Sequence, residues 1–173
     1  MAEQYLDVLT VRLRGYSETP MPEHLTEAMS LSVAVGTQLD LEQLADEVRQ
    51  DLAGQPHRIQ QTRLETSWGA FSIGALLEID VPTWLAGLGG VAALWHVIAR
   101  RALSHGRART VAGETHAETA RTRAAENLNV GVDSIRIVGL EPVGDGHRVN
   151  LETPLGSFIV EIDSDGVSRM RRY

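Results

Sequence analysis

The sequence predicts an α+β protein, in which an N-terminal strand/helix unit with a long apolar helix precedes a C-terminal helix and an antiparallel β-meander. Three observations predict this class: an amphipathic, capped stripe at 40–52, an uncharged run at 81–99, and regularly spaced turn residues after position 140. The chain has 173 residues, of which 43% are hydrophobic and 23% charged, and it has no cysteine. This composition excludes a disordered chain and a disulfide-stapled module.

The N-terminal segments carry strand patterns, and two of them, 24–35 and 68–79, are ambiguous. Apolar and polar residues alternate at the end of 5–14, which predicts a half-buried strand, and 31–35 and 58–65 have strand patterns of their own. Segment 68–79 is apolar and punctuated by glycine, so it fits either a strand or a helix. Segment 40–52 predicts a helix, because Asp40 is a typical N-cap and apolar residues recur behind it at helical spacing.

The C-terminal part predicts one helix and a meander. Segment 114–128 is polar with small apolar residues along one face, which is typical of a surface helix. Glycine and aspartate occur at the positions where tight hairpins need them, which divides the rest into four strands at 134–140, 147–152, 157–163 and 167–171. We therefore predict three parts: a unit over 1–104, an arginine-bearing linker over 105–113, and an α-β-β-β module over 114–173.

The uncharged run is the most unusual segment of the chain. Residues 81–99 carry no formal charge, and Arg100 and Arg101 end the run. Pro82 is typical of a first helical turn, so we predict a helix over 82–104. The run suits a core helix, a single membrane span over 81–99 with arginines on the cytoplasmic side, or a helix buried by association with another molecule.

The association hypothesis identifies specific contact residues. Tryptophans near both ends would supply apolar area, and small residues between them would permit close approach of a second helix. The flanking arginines would supply charge. The predicted interaction residues are Trp84, Leu88, Gly89, Trp95, Arg100 and Arg101.

The sequence contains no recognisable catalytic, metal-binding or phosphate-binding motif. All 16 basic residues are arginine and the net charge is −7, which argues against a nucleic-acid partner. No histidine spacing matches a zinc site, and the glycine-rich run lacks the lysine of a phosphate loop. We therefore predict no catalytic, cofactor-binding or metal residues and no cofactor. An enzyme with a site built from distant histidines and carboxylates, such as a hydrolase, is left as an alternative.

Two resemblances bear on function. Segment 5–103 resembles the effector-associated constant components of bacterial conflict systems, which place an apolar, glycine-rich helix ending in arginines after an α/β unit. The residues that match this pattern are Gly87, Gly89, Gly90, Arg100 and Arg101, and the helix at 114–128 departs from it. Segment 114–173 is similar to PepSY-like modules and to the C-terminal half of gas vesicle protein O, through the turn at 163–166 and the arginine-rich end at 170–173. Both resemblances imply a binding or assembly role.

The sequence thus predicts a non-enzymatic interaction or assembly component of a bacterial multiprotein system. Its partner would be another protein or a second copy, and its location would be cytoplasmic, since the first residues lack the basic and apolar regions of a signal peptide. The alternative interpretation is a protein anchored in the membrane by 81–99.

Overall fold

The computed structural model describes residues 6–35, 40–67, 71–84, 90–108 and 115–173. These residues form three helices and nine strands, which confirms the α+β class. In chain order the elements are β1 (Leu6–Tyr16), β2 (Leu25–Ala34), α1 (Leu41–Asp51), β3 (Arg58–Ser67), β4 (Phe71–Pro82), α2 (Gly90–Leu103), β5 (Arg107–Ala108), α3 (His116–Leu128), β6 (Arg136–Val143), β7 (Gly146–Thr153), β8 (Gly156–Ile162) and β9 (Ser168–Arg172).

The strands form one sheet in the order β3-β4-β1-β2-β9-β8-β7-β6, and β5 pairs with the end of β2. Strands β1 and β4 are parallel, and every other neighbouring pair is antiparallel. Strand β2 pairs with β9 from Glu27 to Ser30. The predicted units 1–104 and 114–173 therefore contribute strands to a single sheet.

Two apolar cores lie on opposite faces of this sheet. Helices α1 and α2 cover one face of the N-terminal strands, where Leu13 belongs to their core. Helix α3 covers the other face, mainly over the C-terminal strands, and its Leu128 packs with Phe158. The faces are opposite because Arg12, next to Leu13 in β1, points toward α3 and pairs with Glu126. Each half of the sheet thus has one covered face and one face without a helix in the described residues.

The capped helix and the meander are confirmed. The Asp40 carboxylate accepts hydrogen bonds from the backbone N–H groups of Glu42 and Gln43, which fixes the start of α1. Helix α3 starts after the N-cap Thr115. The turns between the last four strands contain Gly144, Gly156 and Gly166, all with positive φ, as the predicted hairpins require.

The long apolar helix predicted over 82–104 is wrong. Strand β4 continues through Val81 and Pro82, and α2 has only 14 residues and begins at Gly90. The first residues of the uncharged run are apolar because β4 is a central strand between β3 and β1, where Val81 is 2% exposed. Pro82 sits at the last position of the strand, where the missing N–H costs little. Within the described ranges, no helix combines the length and hydropathy that a membrane crossing requires.

Gly146 offers a test of how tightly β7 and β8 are joined. A Cβ atom there would lie 1.9 Å from the carbonyl oxygen of Ile162 and 2.8 Å from Cα of Asp163, which are backbone atoms that cannot move aside. Gly146→Ala should therefore lower the free energy of unfolding by about 1–3 kcal/mol in urea titration. The matched control is Gly131→Ala, because nothing lies within 4 Å of its added Cβ. Equal losses in the two variants would contradict this account.

Candidate interaction surface

Helix α2 is amphipathic against the sheet. Val91, Trp95, Ile98 and Ala102 recur at helical spacing and are buried in the core with the odd-numbered residues of β1. The opposite face of the helix points away from the sheet. Its described exposed residues are Ala93, His96, Val97, Arg100 and Leu103.

Trp84 lies near the start of this helix. A Cβ on Gly15 of β1 would lie 2.6 Å from a methyl group of Val91 and 3.3 Å from the Thr83 hydroxyl, so both meet at one end of β1. The Trp84 side chain is 73% exposed, and Val97 and Leu103 are 46% and 43% exposed. Trp84 and the exposed residues of α2 (Ala93, His96, Val97, Arg100, Leu103) are hereafter the α2 surface.

The α2 surface has an unusual charge for an exposed helix. It contains Arg100 and no carboxylate, and Arg100 forms no ion pair with any residue of the described ranges. The neighbouring helix α1 is acidic, with Glu42, Asp46, Glu47 and Asp51 against a single arginine. A surface with one arginine and no carboxylate thus lies beside an acidic helix.

Arg101 holds these two helices together. Its guanidinium donates to the Asp51 carboxylate over 2.8 Å and 3.1 Å and lies 3.8 Å from Glu47. His105 Nε2 lies 3.7 Å from the same Glu47 carboxylate. The pairing with Asp51 raises the pKa of Arg101. Arg101 is thus engaged within the chain.

The predicted interaction residues divide into three groups. Trp84 and Arg100 are exposed on the α2 surface. Trp95 is 4% exposed in the core, and Arg101 pairs with Asp51. Leu88 and Gly89 lie outside the described residues. Val97 and Leu103 were missed by the sequence reasoning, because their exposure depends on which face of α2 the sheet covers.

A second group of charged residues lies between the sheet and α3. Parallel pairing of β1 with β4 places Arg12 beside Glu78 and Arg14 beside Asp80. Arg14 Nε donates to Asp80 over 2.8 Å, and Arg12 bridges Glu78 at 3.1 Å and Glu126 of α3 at 2.5 Å. Burial lowers the pKa of Arg12, while Glu126 and Glu78 oppose that shift. Each guanidinium faces carboxylates of this chain, which suits a structural role.

Polar atoms around this network include some without a protein partner. Arg123 of α3 donates to the Ser32 hydroxyl over 2.6 Å, but Arg12 Nε, Ser30 Oγ and Asn127 Oδ1 are buried and unpaired. Water molecules in the α3 interface would satisfy them. The network therefore fixes where α3 sits rather than presenting a reactive group.

Two histidines of the described residues lie close together. His116 and His147 approach with their Nδ1 atoms 2.7 Å apart, which ties the first residue of α3 to β7. No group of three metal-ligating side chains occurs in the described ranges. A cavity of about 230 Å³ beside β6–β8 has one carboxylate in its lining, Glu152, and that group pairs with Arg136.

No protein-family model, curated protein or solved structure matches this chain. The resemblances of 5–103 and 114–173 to known families therefore stay predictions.

The charged pair Arg14–Asp80 should contribute strongly to stability. Asp80 is 5% exposed, so Arg14→Gln leaves a buried carboxylate without its bidentate partner and should cost about 3 kcal/mol in urea titration. The control is Arg136→Gln, which removes an ion pair whose side chains are 73% and 50% exposed and should cost less than about 1 kcal/mol. If both variants lose the same stability, the buried network is not the stronger contact.

Tyr16 makes stability fall in alkali. Burial raises its pKa from 10.0 to about 12, the nearby Asp80 and Glu78 add to the shift, and Arg14, 5.8 Å over the ring, opposes it. Because the phenol ionises more readily in the unfolded chain, folding stability should decrease as the pH rises from about 10 through 12. Tyr16→Phe should lose less stability over that interval, as measured by urea midpoints at pH 8 and pH 11.5. Parallel losses in both proteins would show that another group causes the decline.

Proposed function

We propose that the protein is a non-enzymatic assembly component that associates with a second copy through the α2 surface. The observation that carries this proposal is the exposure of Val97 and Leu103 on α2, a helix without carboxylates, together with the exposure of Trp84 before that helix. Exposed helix faces of monomeric proteins are usually polar or charged. Exposed apolar side chains on one face of a helix favour a contact surface.

The apolar side chains are large enough to drive association. Burying a side chain such as leucine or valine is worth about 1.5–3 kcal/mol, and a tryptophan buries about 150–250 Å². Ala93 lies on the same exposed face of α2 as Val97, and its small side chain permits close approach of another helix. These gains stabilise a complex once they exceed the cost of lost rotational and translational freedom.

Charge favours a second copy as the partner. Arg100 has no ion-pair partner among the described residues, while the adjacent α1 has a surplus of carboxylates, including the exposed Glu42 and Asp46. A two-fold arrangement brings the acidic α1 of each copy toward the Arg100 of the other. Both halves of such a contact are made by the same residues, as in most soluble homo-oligomers.

The non-enzymatic part of the proposal rests on the polar groups. Arg12, Arg14, Glu78 and Asp80 are engaged with one another, and the one carboxylate that lines the cavity beside β6–β8 is paired. Catalytic sites instead keep reactive groups available at a cleft.

Val97→Asp combined with Leu103→Asp tests the α2 surface. Two carboxylates in the centre of an apolar contact should weaken self-association by at least about thirtyfold in sedimentation velocity over a range of concentrations. The matched control is Val143→Asp, because Val143 is 42% exposed but lies on β6, far along the sheet order. It should associate as the unaltered protein does.

Fluorescence supplies a local reading of the same contact. The chain has three tryptophans, so the measurement uses a Trp68→Phe protein, in which the exposed Trp84 and the buried Trp95 are the emitters. Association should shift the emission of this protein to shorter wavelength as its concentration rises. The shift should vanish in Trp84→Phe and in the double aspartate variant. A concentration-independent spectrum, or equal association of the double variant and the Val143→Asp control, would overturn the proposal.

A further inference from the structure

The two ends of the sheet differ in a way that points to a second contact. Strands β3 and β6 are the terminal strands, and in the described residues each pairs with one neighbour only. A terminal strand presents backbone N–H and C=O groups that another strand can pair with. Natural proteins usually block such edges, so an unblocked edge is informative.

Strand β6 is blocked in two ways. Its register with β7 shifts between Ile137 and Gly139, so the strand bulges. Pro142, opposite His147, has no N–H to donate to a further strand. A regular ladder cannot form along this edge.

Strand β3 has neither device. All ten residues from Arg58 to Ser67 pair in unbroken register with β4, and the strand contains no proline or glycine. Its exposed residues Gln60, Gln61 and Thr62 form an uncharged stretch of the edge between Arg58 and Arg63. Within the part of the chain that the structure describes, the outer backbone groups of β3 thus have no strand partner over a length typical of a complete strand.

We propose that β3 pairs antiparallel with β3 of a second copy across a two-fold axis, continuing the sheet from one molecule into the next. Pairing centred on Gln61 puts Gln61 opposite itself and Gln60 opposite Thr62 of the other copy. Amides and hydroxyls both donate and accept hydrogen bonds, so this sequence complements itself. The backbone ladder supplies the affinity.

Helix α1 predicts how salt acts on this contact. It packs beside β3, and a continued sheet places the α1 helices of both copies on the same face. Glu42, Asp46, Glu47 and Asp51 outnumber Arg49 there, so the two helices repel. Added salt screens that repulsion and should strengthen the β3 contact.

The experiment uses the full chain carrying Val97→Asp and Leu103→Asp, so that failure at the α2 surface and failure at β3 are distinguished. This protein, once circular dichroism shows it folded, should still have twice the chain mass of 18.9 kDa by light scattering at high concentration and high salt. The chain lacks cysteine, so single cysteines report contacts without background. We would introduce Gln60→Cys, Gln61→Cys and Thr62→Cys separately, each under a mild oxidant.

Opposed residues of an antiparallel pair have Cα atoms about 4.5–5.5 Å apart, which suits a disulfide. Gln61→Cys should therefore form a disulfide-linked dimer at least tenfold faster than the control Glu141→Cys, which is exposed on the blocked strand β6. Fastest linkage at position 60 or 62 supports the pairing with a shifted axis. Two results would overturn the proposal: a monomeric mass at every concentration, or disulfide formation at all three positions no faster than in the control. Either result would also be expected if β3 pairs with a strand of another protein and not with a second copy.

Discussion

The backbone pairing of β2 with β9 is the constraint on which the rest of the structure depends. Four residue pairs, from Glu27 with Arg171 to Ser30 with Ser168, join the N-terminal strands to the C-terminal meander in one sheet. The two apolar cores lie on opposite faces of that sheet, so neither core alone buries both sides of its strands. Helix α3 reinforces the junction, because Arg123 and Glu126 contact Ser32 and Arg12 of the N-terminal half while Leu128 packs in the other core.

This topology explains the charge ladders of the two faces that lack a helix in the described residues. Arg148 pairs with Glu161 over 2.9 Å, and Arg169 pairs with Glu27 over 2.7 Å, on the face of the meander away from α3. Beside α3, the N-terminal strands carry the pairing of Arg14 with Asp80. Arg148 and Glu161 suit the meander face because no apolar layer covers them, whereas Asp80 is 5% exposed and is stabilised by its pairing with Arg14. The alternating arginines and carboxylates are therefore accounted for by the fold, and they need no ligand.

Local signals predicted the elements that local physics determines. The Asp40 cap defines α1, and the positive-φ glycines, such as Gly144 and Gly156, divide the meander into strands. The single helix predicted from the uncharged run at 81–99 was wrong because the run includes the end of strand β4 and most of helix α2. Both elements have few charged residues, β4 because it is a buried central strand and α2 because one of its faces packs on the sheet. Of the residues of the α2 surface, Trp84 and Arg100 were predicted from the sequence. Val97 was not predicted, because α2 has few charged residues and its sequence therefore does not show which face the sheet covers.

The position of α1 couples the two proposed contacts. Its acidic residues lie beside the α2 surface on one flank, as the bond from Arg101 to Asp51 shows, and the same helix packs on β3 at the edge of the sheet. In the proposed α2 contact those carboxylates approach Arg100, which has no ion-pair partner among the described residues, so salt should weaken the attraction. In the proposed β3 contact they approach carboxylates of the second copy, so salt should relieve a repulsion. One helix would thus give the two proposed contacts opposite responses to ionic strength, and the salt concentration should determine which of the two assemblies forms.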